Sequence, residues 1–557
     1  MSNLFVRKAT GMVRSWSVFD AFIYAFFSIN LVTLGFYSFS QMYYFSGGMI
    51  PALIVSAAFI IFEVVVYASL IAVMPRSGGD YVWQTRIFGG GIGFMLAITG
   101  WWFTLWLWTP IYGDMLRQIV LTPLLGAFGL QEAAVWIAGP GTALFVCSLL
   151  TLLFVALVIF LGMKTYARIQ KYSFYAGMLG LLIVIVLLFT GSPEQFEAGM
   201  EANSASYFGT QAGVHDATAE AGVAAGASTP LTGGSFFLIL LTLPYLVFFN
   251  LWPNWGATLY GEVRGATDYK RNFAGMAWAL GVTTVLGILF FLGVAKTIGW
   301  DFYVQANGAW WCNAWQLADP STGALYCPDT PPMPVWPNPA MLAVFLTDNR
   351  LVQIVVLLLM STWWFGWAGT LFLSSTRVIF AAAFDRLLPE KAAELNKNGT
   401  PVNAMLYMVL PAMLVSALYA YNVAGFRSIT LAATQGIAIM YFGTAIAAIV
   451  LPYKKKELFE ASPIAQMKVA GIPLITIAGV IFGGFLLFLL VEWFFDPWLN
   501  PAFAPAGLYG ISLANTNSII FLLACYATAA ALYYGFKARR KTEGIDLDKV
   551  TAEIPVE

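Results

Sequence analysis

Phe248-Phe249-Asn250-Leu251-Trp252-Pro253-Asn254 interrupts the sixth long apolar stretch of a chain of 557 residues. A helix crossing hydrocarbon has poor reason to contain such a segment. Proline removes a backbone donor and its ring clashes with the preceding turn, and two asparagines carry amides that lipid cannot satisfy. Non-helical chain at membrane depth persists only where protein or a water-filled space surrounds it. The stretch therefore predicts a broken spanning helix with a cavity beside it.

The surrounding composition is that of an all-α integral membrane protein. The chain is 60% hydrophobic and 10% charged, with 20 Trp and 45 Phe, and its mean hydropathy is +0.76, far from the make-up of a soluble domain. Runs of about 20 apolar residues, enough to cross a bilayer, fall near 17–43, 50–73, 92–122, 137–162, 172–191, 234–260, 273–296, 350–380, 402–421, 429–451, 472–495 and 515–536. Lys and Arg crowd the loops on the side of the N-terminus, from Arg7, Lys8 and Arg14 through Lys164, Arg168 and Lys171 to Lys537, Arg539, Arg540 and Lys541. Only Arg117, Lys296, Arg350 and Arg427 fall opposite. Positive charge marks the inner face, so segment 1–16 and tail 537–557 are expected in the cytoplasm, with the spans in the cell membrane. The stretch after Arg14 is too long for the core of a cleavable leader, and the first span should serve as its own insertion signal.

Two outer segments, 192–233 and 297–349, are long. The first is rich in Ala, Gly and Ser around the only histidine, His215. It reads as a solvated extracellular loop, because a lone His without Cys, His or acidic companions at ligand spacing is no metal site. The second carries Trp310, Trp311 and a run of prolines, and reads as an external cap. Its Cys312 and Cys327 lie where an oxidising medium permits a bridge that ties the loop, whereas Cys147 and Cys525 fall inside spans as small core residues.

Spans one to five (17–191) and six to ten (234–451) form two units with an odd number of crossings, so their directions oppose, as an inverted repeat requires. Spans eleven and twelve (472–536) are additional. Span one then corresponds to the broken span six, and it too is irregular, with Ser28, Asn30, Thr33, Gly35 and Ser38 in an otherwise apolar run.

Met74-Pro75-Arg76-Ser77-Gly78-Gly79-Asp80-Tyr81, continuing through Phe88-Gly89-Gly90-Gly91-Ile92-Gly93-Phe94, resembles the signature inner loop of the amino acid-polyamine-organocation (APC) superfamily of permeases. Gly261-Glu262-Val263-Arg264 with Lys270-Arg271-Asn272 resembles the family's loop after span six. Ser375 to Phe380, with Asp385-Arg386-Leu387-Leu388-Pro389 and Thr400-Pro401, resembles its loop between spans eight and nine. The resemblance implies a five-plus-five inverted-repeat (LeuT-like) core in which a small solute, an amino acid or related amine, binds at mid-membrane between broken spans one and six. The family's glycine-rich break falls on Thr33-Leu34-Gly35-Phe36-Tyr37, where only Gly35 matches fully, and its aromatic lid falls on Phe248.

The candidate binding residues are accordingly Asn30, Val32, Thr33, Leu34, Gly35 and Phe36 in span one, and Phe248, Phe249, Asn250, Leu251 and Trp252 in span six. Freed N–H groups would hold a carboxylate and freed carbonyls an ammonium. The two asparagines would either contact the solute or bond neighbouring helices. Glu63, near the centre of span two, is the proton-coupling candidate, since a carboxyl there is costly unless protonated or paired. Ser374 and Ser375 are where sodium-coupled relatives place hydroxyls, and Gly177 stands where proton-coupled or sodium-independent ones carry a lysine. Asp114 and Arg117, three apart, can pair on one helix face. One or two of Trp101, Trp102, Trp106, Trp108, Trp363, Trp364 and Trp367 could line the cavity and meet an ammonium. No cofactor, metal or nucleic-acid partner is expected, and a homodimer stays open.

Expected partners are thus the bilayer, the solute and a co-transported H+ or Na+, or an exchanged second solute. A major facilitator would want a D-R-x-G-R loop where Met74 to Tyr81 stands. A membrane enzyme would need acid, base or metal groups gathered at one depth. A nutrient sensor on a transporter scaffold is the remaining alternative.

Overall fold

The computed structural model describes residues 16–315, 327, 330–430, 432–495 and 512–554; Arg7, Lys8 and Arg14 lie outside them. Among the described residues, twelve helical segments are long and apolar enough to cross a membrane: Val18–Ser40, Met49–Val73, Gly90–Ala127, Thr142–Leu161, Met163–Thr190, Phe236–Glu262, Tyr269–Ala314, Arg350–Phe384, Val402–Ala420, Ala433–Lys454, Leu474–Phe494 and Thr516–Thr542. These are spans one to twelve. They match the apolar runs one for one.

Local chemistry sets the ends. Ser17 and Asp20 form a capping box that starts span one. Asp268 caps span seven, and Asn349 caps span eight by accepting from Leu351 and Val352. Spans four and five are separated by Gly162 alone, whose φ of +90° turns the chain where a side chain would be strained.

The packing carries the repeat. Span two lies on span seven and span four on span nine. Span one on seven is matched by six on two, five on eight by ten on three, and three on four by eight on nine. Adding or subtracting five turns each of these contacts into itself or into another of the set. Two five-span units of opposite direction, related by a pseudo-twofold axis, produce this pattern. Span eleven lies against spans ten and two, and span twelve against span three.

The segment 192–233 corrects one expectation. It holds two helices, Pro193–Phe208 and Val214–Ala224, and the second packs on Trp300–Trp315 at the end of span seven. Gly222 lies so close to Gln305 that a Cβ would sit 2.2 Å from its carbonyl oxygen, and this close approach anchors a stretch that composition alone makes look like solvated chain. His215 stacks on Phe302 with ring centroids 4.3 Å apart, and its ligand atom lies within 4.8 Å of those of the adjacent Asp216 and of Glu197, the second an acid distant in sequence that the fold brings to it. A disulfide joins Cys312 to Cys327 with Cα atoms 5.8 Å apart. This cap rests on the end of span one, where Trp311 Nε1 donates to Ser40 Oγ at 2.9 Å.

Candidate functional site

Span one breaks at Asn30, with φ 47° and ψ 88°. The left-handed region is costly for most residues, and asparagine is the commonest side chain after glycine to enter it. Its amide secures the break on both sides: Oδ1 accepts from the Thr33 N–H at 2.8 Å and Nδ2 donates to the Trp363 carbonyl of span eight at 3.1 Å. The chain then makes one π-turn, Leu31–Gly35, before resuming as helix. The expected opening over Thr33 to Phe36 is therefore corrected. Their N–H groups bond to Asn30 Oδ1, the Asn30 carbonyl and the Leu31 carbonyl, because the reversal three residues earlier lets the turn close over them. Leu31 and Val32 head the turn with no backbone acceptor for their N–H groups.

Span six runs as helix through Asn250, containing Pro244, and opens over Leu251 to Asn254 before a 3-10 helix, Trp255–Glu262. Phe248 and Phe249 are thus helical, and the freed segment lies further on than sequence suggested. The Phe248 carbonyl accepts from Trp252 Nε1 at 2.7 Å, so this indole covers part of the opening. Asn250 Oδ1 accepts from Ser56 of span two at 2.9 Å, while its Nδ2 is buried without a partner, as is that of Asn254. The two broken spans touch where Gly35 faces Phe249: a Cβ on Gly35 would lie 3.0 Å from the ring. Here glycine serves close approach rather than an unusual backbone angle.

Beside this contact lies a small cavity of about 40 Å³, room for a few water molecules. Span one contributes Leu34, Tyr37, Ser38 and Gln41, one face of a helix at spacings of three and four. Trp108 and Tyr112 come from span three, Phe248 from span six and Trp367 from span eight. Of the tryptophans singled out from sequence, Trp108 and Trp367 line it. A second, larger cavity of about 400 Å³ lies towards the cap, walled by Asp114, Arg117, Trp310 and Trp311 among others. Tyr37, Tyr419 and Arg427 line both cavities and so form the partition between them. Tyr37 is held there by its hydroxyl, which donates to Asp114 Oδ2 at 2.9 Å, and Asp114 pairs with Arg117 at 2.6 Å. Sequence reasoning missed Tyr37, Tyr112 and Tyr419, although the run 34, 37, 38, 41 on one helix face was there to be read.

Comparison with known proteins fits this architecture. The amino acid permease family matches residues 17–527. The chain belongs to that family. No curated protein sequence matches it. As a permease it is a multi-pass membrane transporter of a small-molecule substrate.

Glu63 of this permease is 0% exposed and neither carboxylate oxygen has a hydrogen-bond partner. One turn along span two, Tyr67 donates to Asp80 Oδ1 at 2.7 Å. Asp80 also accepts from Thr444 at 2.6 Å and from Trp101 Nε1 at 3.0 Å. The Tyr441 hydroxyl donates to Asn254 in the span-six opening at 3.0 Å, and its ring stacks edge-on against Tyr67. An acid in span two, a second acid in the signature loop and the break in span six thus belong to one buried neighbourhood. Ser374 Oγ is engaged between the Trp255 carbonyl at 2.8 Å and Tyr24 of span one at 3.0 Å, while Ser375 Oγ is buried without a partner. At Gly177 the backbone carbonyl accepts from Trp363 Nε1 at 2.9 Å, and the indole fills the place of a longer side chain.

The three motif loops converge away from the cap. The Gly78 N–H donates to the Thr258 carbonyl at 2.8 Å. Arg377 holds Glu262 at 2.8 and 3.3 Å, Arg86 holds Asp385 at 2.6 and 3.0 Å, and the Tyr81 hydroxyl donates to the same aspartate at 2.8 Å. These pairs are buried, and they close the protein on the face that carries its termini.

Proposed function

We propose that this permease moves an amino acid or related small organic amine across the cell membrane by alternating access, with both termini in the cytoplasm. The observation that carries the reading is that two spans five apart in order both break, touch at Gly35 and Phe249, and border one cavity. In this reading the N–H groups of Leu31 and Val32 receive the carboxylate, as N–H groups at helix starts do for anions. The free Nδ2 of Asn250 supplies a neutral donor. Asn30 shapes the opening instead of touching the solute, because both ends of its amide are already bonded. Phe248 and the partition of Tyr37, Tyr419 and Arg427 cover the solute towards the cap. The ion-paired loops release it on the opposite side when the two helix groups rock.

Coupling is assigned to a proton carried on Glu63. A carboxyl buried without a cation or a hydrogen-bond donor is the kind of intramembrane group that takes and releases protons, and it neighbours the span-six opening through Tyr67, Asp80 and Tyr441. Sodium is the second reading, resting on the unpartnered hydroxyl of Ser375; it is disfavoured because Ser374 is already bonded twice. Purified protein in liposomes should accumulate radiolabelled amino acids when the outside is made acidic, without sodium. Glu63→Gln, which keeps shape and removes the titrating group, should retain binding and lose the pH dependence of uptake. Undiminished pH dependence would dismiss Glu63. Binding without uptake or exchange would replace transport by sensing.

A further inference from the structure

We propose that a basic pocket on the face that carries the termini binds the phosphate headgroup of an anionic phospholipid. It lies apart from the cavity between the broken spans and takes its ligand from the bilayer, whatever solute the permease carries.

The pocket, about 610 Å³, opens between the junction of spans four and five and the segment 395–399 that precedes span nine. Its walls are held against each other, because the side-chain amides of Asn396 and Asn398 donate to the Phe160 carbonyl at the end of span four, at 3.3 and 2.9 Å. Lys164 and Arg168, four apart at the start of span five, share one helix face, and Lys397 stands on the opposite wall. All three are exposed. Lys171, the next cation along span five, already pairs with Asp20 at 3.7 Å, whereas Lys164, Arg168 and Lys397 have no acidic partner among the described residues. The one acid among the lining residues is Glu262, which Arg377 holds at 2.8 and 3.3 Å. The pocket therefore keeps a surplus of positive charge. A phosphate between its walls relieves the repulsion among three like charges, and it ties the first five-span unit, which supplies Lys164 and Arg168, to the second, which supplies Lys397.

The apolar surroundings identify the source of that phosphate. Leu153, Leu157 and Leu161 are exposed on span four, at spacings of four that set them along one side of the helix, and Leu161 also lines the pocket. An acyl chain laid along this strip delivers its headgroup between the three cations. A free phosphate ion would use the cations and leave the strip unmatched. Basic pockets between spanning helices on the cytoplasmic side are where anionic headgroups bind. A choline headgroup is disfavoured, since it brings a fourth cation to the same place.

The test uses full-length protein in detergent micelles, with phosphatidylglycerol, phosphatidylcholine of the same acyl chains and inorganic phosphate as probes, read by native mass spectrometry and by unfolding temperature. Phosphatidylglycerol should stay bound and raise the unfolding temperature, and phosphatidylcholine should do neither. Each cation near an anionic headgroup contributes about fivefold, so Lys164→Gln with Arg168→Gln should weaken phosphatidylglycerol binding about 25-fold. Lys164→Arg, which keeps the charge, should retain it. Lys468→Gln with Lys541→Gln removes two cations that are equally exposed but lie off the pocket, and should leave binding unchanged. Equal losses from the two double variants would show a diffuse attraction to a basic face and overturn the pocket. If inorganic phosphate at millimolar concentration stabilises the protein as well as the lipid does, the occupant is a free anion and the lipid assignment falls.

Discussion

Asn30 shows how much one side chain can decide. Its backbone takes a left-handed turn at the middle of a membrane helix, its Oδ1 gives Thr33 the acceptor that the broken ladder no longer supplies, and its Nδ2 ties the break to span eight. Alanine would keep the fold's demand for φ near 47° while removing both bonds. The left-handed penalty of about 1–2 kcal/mol and a buried amide left unpaired at about 1–3 kcal/mol together predict a loss of roughly 3 kcal/mol for Asn30→Ala. Asn30→Gly restores the backbone freedom and forfeits only the bonds, so it should be milder by about 1 kcal/mol. Unfolding in detergent monitored by tryptophan fluorescence would rank the two. Should glycine prove as damaging as alanine, backbone geometry is not what Asn30 provides.

At the scale of elements, the number of spans and their pairing were legible because bilayer thickness and an odd repeat leave few alternatives. The exact opening in each broken span was not. A glycine in a helix marks several different needs, and Gly35 was expected to free backbone when its need is room for Phe249. The reversal instead fell to Asn30, whose left-handed tolerance has no periodic signature. In span six, Pro253 and Asn254 did mark the opening, while the helix kept Phe248 and Phe249 because nothing before Leu251 stops it. The helices of 193–208 and 214–224 were illegible for a third reason: their fit to the end of span seven depends on Gly222 and Gln305, far apart in the chain. The Gly35 account carries its own prediction. Gly35→Ala puts a methyl 3.0 Å from a packed ring, an overpacking worth about 1–3 kcal/mol, and Phe249→Leu should relieve it. A double-mutant cycle on unfolding would then show the pair less damaged than the sum of the singles. Additive losses would mean that the two spans do not meet there.

For the molecule as a whole, the state described is closed on the terminal face, and the closure is built from three loops distant in sequence. Arg86 and Tyr81 reach Asp385, Arg377 reaches Glu262, and Gly78 and Gly79 lie on Thr258. A transporter that alternates must break this arrangement once in each cycle, so its strength sets how rarely the terminal face opens. Removing one partner of an ion pair would strand the other buried charge at about 3–5 kcal/mol and risk the fold. Tyr81→Phe is gentler: it deletes one hydroxyl bonded to a carboxylate, worth about 1.5 kcal/mol, and leaves Arg86 in place on Asp385. Thr258 reports the opening well, since it is fully buried beneath Gly79 and its own hydroxyl has no partner to lose. With Cys147 and Cys525 replaced by alanine and Thr258→Cys introduced, a thiol reagent applied from the terminal face should label about tenfold faster in the Tyr81→Phe background, because 1.4 kcal/mol is a factor of ten in population. Equal rates would mean that Tyr81 does not hold the closed state and that the seal lies elsewhere in the bundle.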